Sequence, residues 1–212
     1  ANLREYDKGT DFDAAMDEIA GEVRANCGTP YIIPGGATNP VGALGYVGCA
    51  EELLQQCAAQ DVAFDHVVLA SGSAGTHAGM ATGLRASGSD LPILGIGVNV
   101  PRDEQEAKVY DLAVATADYL ERPGCVSRQD IVADCNYVGS GYGEPTDSIN
   151  EAVLMLARTV GLLFDPVYRG KALAGMIDYI REGRFTAGQK VVFLHTGGVA
   201  GLFAYADILK ID

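Results

Sequence analysis

A chain of 212 residues, 48% of them hydrophobic, can bury the core of one domain of ordinary size and part of a second. Its formal charge of −13 and pI near 4.5 exclude nucleic acid as a partner, because phosphate backbones are held by clustered Lys and Arg. No apolar run approaches the roughly 20 residues needed to span a bilayer, and the opening ANLREYDKGTDFD has neither the basic start nor the apolar centre of a secretion signal, so a cytoplasmic protein without membrane contact is expected.

From Thr10, the stretch TDFDAAMDEIAGEVRANCG predicts an amphipathic helix, with acids in its first turn, Phe12, Met16, Ile19 and Val23 on one face, and Gly28 closing it. TPYIIPGG is extended and broken by Pro and Gly. GATNP is a loop, and the pattern turns helical from Ala43 to Ala59. HVVLA, His66 to Ala70, is a short β-branched run that passes at once into the small residues SGSAGTHAGMATGL and a helix. PILGIGVNV, Pro92 to Val100, predicts a second strand, followed by a charged helix through Glu104 to Leu120. Helices are predicted over Asp147 to Val160 and Arg169 to Arg181, and a third strand begins at Lys190 in KVVFLHTGG. Apolar strands alternating with helices imply an α/β fold with an open, mostly parallel sheet and helices on both faces.

Cys27, Cys49, Cys57, Cys125 and Cys135 form an odd set without a C-x-x-C pair, which fits scattered reduced thiols. His66, His77 and His195 are widely spaced, and no metal site is assigned. Two strands run into turns of small residues, SGSAGTHAG after Ala70 and HTGGVAG after Leu194. In the first, a helix N-terminus with unpaired N–H groups could wrap a phosphate between Gly72 and Thr76, with Ser73 and Thr76 adding hydroxyls. A turn kept small for packing reads equally well from spacing alone. The loop has neither a Walker lysine nor a full G-x-G-x-x-G, which disfavours a nucleotide.

GGATNPVGALGYV, SGSAGTHAG, GYGEPTD, DPVYRGKALAGMIDYI and VVFLHTGGVAGLFAY follow one another from Gly35 to Tyr205. In this order they resemble the D-cysteine desulfhydrase and 1-aminocyclopropane-1-carboxylate (ACC) deaminase family of pyridoxal 5'-phosphate (PLP) enzymes, and most of all the L-cysteate sulfo-lyase branch. The resemblance implies the tryptophan synthase β-like fold. Residues 1–34 would be the end of its small domain and residues 35–212 its large, cofactor-binding domain. The family's early segment, which supplies the lysine that bonds the cofactor, has no counterpart in these residues. It is expected on an N-terminal segment or a companion chain. Lys8, Lys108, Lys171, Lys190 and Lys210 all read as lysines of polar faces or termini.

By the same resemblance Gly72, Ser73, Ala74, Gly75 and Thr76 hold the cofactor phosphate, and the Thr196 hydroxyl meets the pyridine nitrogen, unless Thr196 only caps the segment that follows. Tyr142 and Tyr168 approach the substrate as hydrogen-bond donors or proton carriers, or else fill an interface. Thr38 and Asn39 bind the substrate's anionic group, or form a turn and helix cap. Arg169 departs from the family, whose deaminases carry glutamate there, and this argues against cyclopropane ring opening; a solvated arginine is the expected outcome. His77 and His195 follow strand ends, where each is expected to satisfy a backbone carbonyl.

The implied activity is β-elimination from a cysteine-like amino acid, with L-cysteate giving pyruvate, sulfite and ammonia. D-cysteine giving sulfide is the alternative. A rival of another class is an inert fragment that binds a phosphate ligand. A homodimer is the form the family leads one to expect.

Overall fold

In the computed structural model, which describes residues 2–7 and 9–206, the helices and strands alternate as the hydrophobic pattern requires. In chain order they are α1 (Phe12–Ala25), α2 (Pro40–Gln60), β1 (His66–Ser71), α3 (Gly75–Ala86), β2 (Ile93–Gly97), α4 (Arg102–Tyr119), β3 (Ala133–Asp134), α5 (Asp147–Val160), α6 (Arg169–Arg181) and β4 (Val191–Phe193). The chain divides into two compact units, Ala1–Ala37 and Thr38–Asp212.

In the first unit Asp11 caps α1, its carboxylate accepting from the N–H groups of Asp13 and Ala14. Ala15 and Ala20 are buried, whereas Phe12 and Val23 of the predicted apolar face are exposed. A unit this short lacks the material to cover a full helix face by itself.

The second unit is built on a four-stranded sheet of order β3-β2-β1-β4, parallel throughout. Val67 pairs with Ile93, His66 with Val191 and Gly95 with Ala133. Alternate residues of β1 serve opposite layers. Val67 and Leu69 join Met80 and Leu84 of α3 and Val109 of α4, while Val68 and Ala70 join Ala172 of α6 and Phe185. A strand buried on both faces has no polar side, which is why its sequence reads as an unbroken apolar run. A third apolar cluster ties α5 to α6 through Ile149, Val153 and Leu173. Where the predicted strands run long, the ladder stops early: β2 ends at Gly97 and β4 at Phe193. β3 has two residues, too few to show any alternation in sequence.

Helix α3 is buried along nearly all its length. It tolerates this because Gly79 and Gly83 present bare backbone to α2. A Cβ at Gly79 would come 2.4 Å from the Ala43 carbonyl oxygen, and one at Gly83 would come 2.7 Å from that of Val47. Among the described residues no helix is long and apolar enough to cross a membrane. All five cysteines are free.

Candidate functional site

The carboxyl ends of β1 and β4 and the start of α6 meet at a cleft of about 300 Å³, lined among others by Gly72, Ser73, Ala74, Thr76, Tyr168 and Thr196. Its floor is the turn from β1 into α3. Ala74 stands before the helix at φ 87°, a left-handed conformation that costs an L-residue about 1–2 kcal/mol. No side chain caps α3. The N–H groups of its first turn, which have no acceptor within the helix, therefore remain available beside the cleft. Gly72 keeps the approach open. A Cβ there would meet the Tyr168 ring at 3.0 Å and Val98 at 3.1 Å.

A buried polar relay supports this turn. Gln105, fully buried on α4, donates through Nε2 to the Ser71 hydroxyl at 2.8 Å and to the Gly72 carbonyl at 3.1 Å. The Ser71 hydroxyl lies 3.0 Å from His77 Nδ1. With Gln105 donating to that oxygen, the serine hydrogen is free for Nδ1, which leaves the proton of a neutral ring on Nε2. His77 Nε2 is buried without a partner, and His77 lines the cleft. Burial pushes its pKa down to about 4, so the ring stays neutral. His77 thus answers a side-chain hydroxyl, where a backbone carbonyl was expected.

The opposite wall corrects two expectations. Arg169 is not solvated: it is 7% exposed, forms an ion pair with Asp165, and donates from Nη1 to the Thr196 hydroxyl at 3.1 Å. Asp165 is itself buried, and its carboxylate also accepts from the N–H groups of Val167 and Tyr168 at 2.9 and 2.8 Å, so the DPVYR turn is wound around one acid. Arg169 must follow that acid inward, since a buried carboxylate needs a cation. Lys171 is likewise no polar-face residue. It is wholly buried, with Nζ donating to backbone carbonyls. Thr196 precedes Gly197 and Gly198 and has its oxygen engaged by Arg169, rather than capping the 3-10 turn Val199–Tyr205, which has no side-chain cap.

Tyr142 and Tyr168 come together although 26 residues separate them, with hydroxyls 2.7 Å apart and rings edge to face. Tyr168 lines the cleft; Tyr142, half exposed, stands behind it. Burial, and then the hydrogen bond to Tyr142, hold the Tyr168 phenol above its ordinary range, so it keeps its proton at neutral pH. Asn39 caps α2, accepting from the Gly42 N–H at 2.8 Å, and neither it nor Thr38 is among the residues lining the cleft. The Thr38 hydroxyl is buried without a partner. His195 packs against Phe164 and accepts from the Gly197 N–H.

Gln105, Asp165 and the interior place of Lys171 escaped the sequence reading. Asp165 had a signal, standing four residues before Arg169 at ion-pair spacing. Gln105 shares its helix face with Val109 and Ala113, which marks it as a polar residue on a core stripe.

Comparison with known proteins gives one family match and three similar solved structures. A family model described as pyridoxal-phosphate dependent enzyme matches residues 1–197. The crystal structure of an ACC deaminase homologue is 34% identical and superposes with a TM-score of 0.86 over 97% of this chain and 61% of that one. An O-ureido-L-serine synthase variant with O-ureido-L-serine bound (17% identical, TM-score 0.59, 94% of this chain and 57% of that) shares the fold. So does a fungal L-serine ammonia-lyase from Rhizomucor miehei (19% identical, TM-score 0.50, 78% and 56%). The chain spans about three fifths of the length of these structures.

Proposed function

Since this chain belongs to the pyridoxal-phosphate-dependent enzymes, we propose that its cleft holds that cofactor and that the intact protein carries out β-elimination from a cysteine-like amino acid, L-cysteate first. One observation carries the reading: the uncapped first turn of α3 opens on a cleft that a single Cβ at Gly72 would narrow. The residues fit the group at its anionic end. Backbone N–H groups around Gly72 to Thr76 and the hydroxyls of Ser73 and Thr76 are the donors a phosphate ester needs. The Thr196 hydroxyl, whose oxygen accepts from Arg169, has its own hydrogen left to offer a neutral ring nitrogen.

Among the described residues, no lysine lines the cleft. Lys171 is committed to carbonyls, Lys108 and Lys190 are exposed, and Lys8 and Lys210 lie outside the described residues. In this proposal the lysine comes from polypeptide beyond these residues, residues 35–212 form the large domain, and residues 1–34 close the small one. When bound, the cofactor draws electrons from the α-carbon of an amino acid joined to it, making the α-proton acidic and a β-substituent able to leave.

The chain's own side chains favour a leaving group that departs as a stable anion. Tyr168, held protonated beside Tyr142, donates a hydrogen bond well but gives up its proton poorly. Sulfite needs no proton to leave. Arg169, neutralised by Asp165, orders Thr196 rather than receiving a free sulfonate. Offering L-cysteate and D-cysteine to the intact enzyme and measuring sulfite and sulfide tests the assignment: sulfite from L-cysteate is expected, and sulfide alone would overturn it. Borohydride reduction followed by peptide mapping identifies the bonding lysine, which should fall outside residues 1–212.

A further inference from the structure

Lys171 is the largest of the fully buried side chains, and its ammonium donates to three backbone carbonyls: Val138 at 2.6 Å, Gly141 at 2.8 Å and Val98 at 3.3 Å. An ammonium has three hydrogens to give and here finds three acceptors, which is the condition for keeping a charge in the interior. The three carbonyls belong to distant parts of the chain. Val98 follows β2, Val138 and Gly141 lie in the loop after β3, and Lys171 itself stands in the first turn of α6. A cluster of convergent carbonyl oxygens is also the surrounding that replaces the water around a potassium ion.

We infer that Lys171 acts as a tethered monovalent cation, filling a carbonyl cage that would otherwise need a free ion, and that this cage positions the Tyr142–Tyr168 pair. Tyr168 lies three residues before the lysine at the start of α6, and Tyr142 follows the caged Gly141. The ammonium therefore fixes the separation of the two phenols from both sides. Its role is positional, since it touches neither the cleft nor the phenols, and it is independent of which substrate the cleft takes.

The test is Lys171→Ala in the full-length holoenzyme, which removes the stem together with the ammonium and leaves an ion-sized void among the three carbonyls. In tetramethylammonium chloride, whose cation is too large for the void, the variant should melt about 5–10 °C below the wild type. In spectra of protein with isotope-labelled tyrosine, the ring signals of Tyr142 and Tyr168 should shift relative to the wild type. Potassium or ammonium chloride should return both properties in the variant while leaving the wild type unmoved. A variant as stable as the wild type, or a loss that potassium, ammonium and tetramethylammonium restore equally or not at all, overturns the inference. Should the variant not fold, acetylation of the wild type decides. Exposed Lys108 and Lys190 should react while Lys171 is spared until unfolding, and reaction of Lys171 at the rate of Lys108 would refute the cage.

Discussion

His77 shows how burial turns one side chain into a pH-dependent contribution to stability. In the unfolded chain its imidazole titrates near the ordinary 6.5, and in the fold burial pushes it down to about 4. Between those values the unfolded chain binds a proton that the folded one refuses. Stability present above pH 6.5 is thus withdrawn as pH falls and is gone near pH 4, a difference of roughly 3 kcal/mol. His77→Gln should flatten this part of the curve, read as denaturation midpoints of the two proteins from pH 7 to pH 4. Tyr168→Phe removes the hydroxyl bonded to Tyr142 and should lower kcat of the intact enzyme by about 10-fold, the scale of one lost hydrogen bond, while cofactor absorbance is retained. Steady-state kinetics with parallel spectra distinguishes this from loss of cofactor. The positions of Tyr142, Tyr168 and Thr196 could be named from motif order, but their partners could not. Arg169 was expected in water because arginine usually is; what draws it inward is Asp165, a buried carboxylate four residues earlier.

At the scale of elements, the α2–α3 contact is limited by backbone, not side chains. Gly79→Ala would drive a methyl into the Ala43 carbonyl and Tyr46, forcing two helices apart, and should cost about 1–3 kcal/mol by chemical denaturation. Gly72→Ala acts differently, because the contacts it would meet are the Tyr168 ring and Val98 at the cleft. The fold should survive, and pyridoxal phosphate affinity should fall by more than about 10-fold in a fluorescence titration, the equivalent of 1.4 kcal/mol. The bounds of α5 and α6 were readable to the residue, since a threonine cap and a stop at Gly161 frame α5, and small residues alternate with apolar ones in α6. α1 was readable as a helix but not in its packing. The β3 pairing was hidden because two residues carry no period, and its register comes only from lying beside Gly95 and Ile96.

The whole chain carries −13, yet the proposed ligands are anions, so long-range repulsion and a local cradle act in opposite directions. Exposed charges are screened within about 10 Å at 0.1 M salt, whereas helix N–H groups act at contact. Association of pyridoxal phosphate should therefore quicken as salt rises from very low levels, with little change in the dissociation rate, as stopped-flow mixing can show. The α/β class was legible throughout because its strands are buried on both faces and so read as apolar runs. What sequence could not show was convergence: the Gln105 relay and the Lys171 cage bring together residues thirty or more positions apart.

With every strand running the same way, the turns after β1 and β4 both open at one rim, and the loops after β2 and β3 meet there at Lys171. Chemistry and architecture are thereby allotted to different stretches of polypeptide. The turns after β1 and β4 can be exchanged to change what the cleft admits while Val67, Val68 and Ile96 go on holding the interior, whereas the loops after β2 and β3 are tied to folding through Lys171.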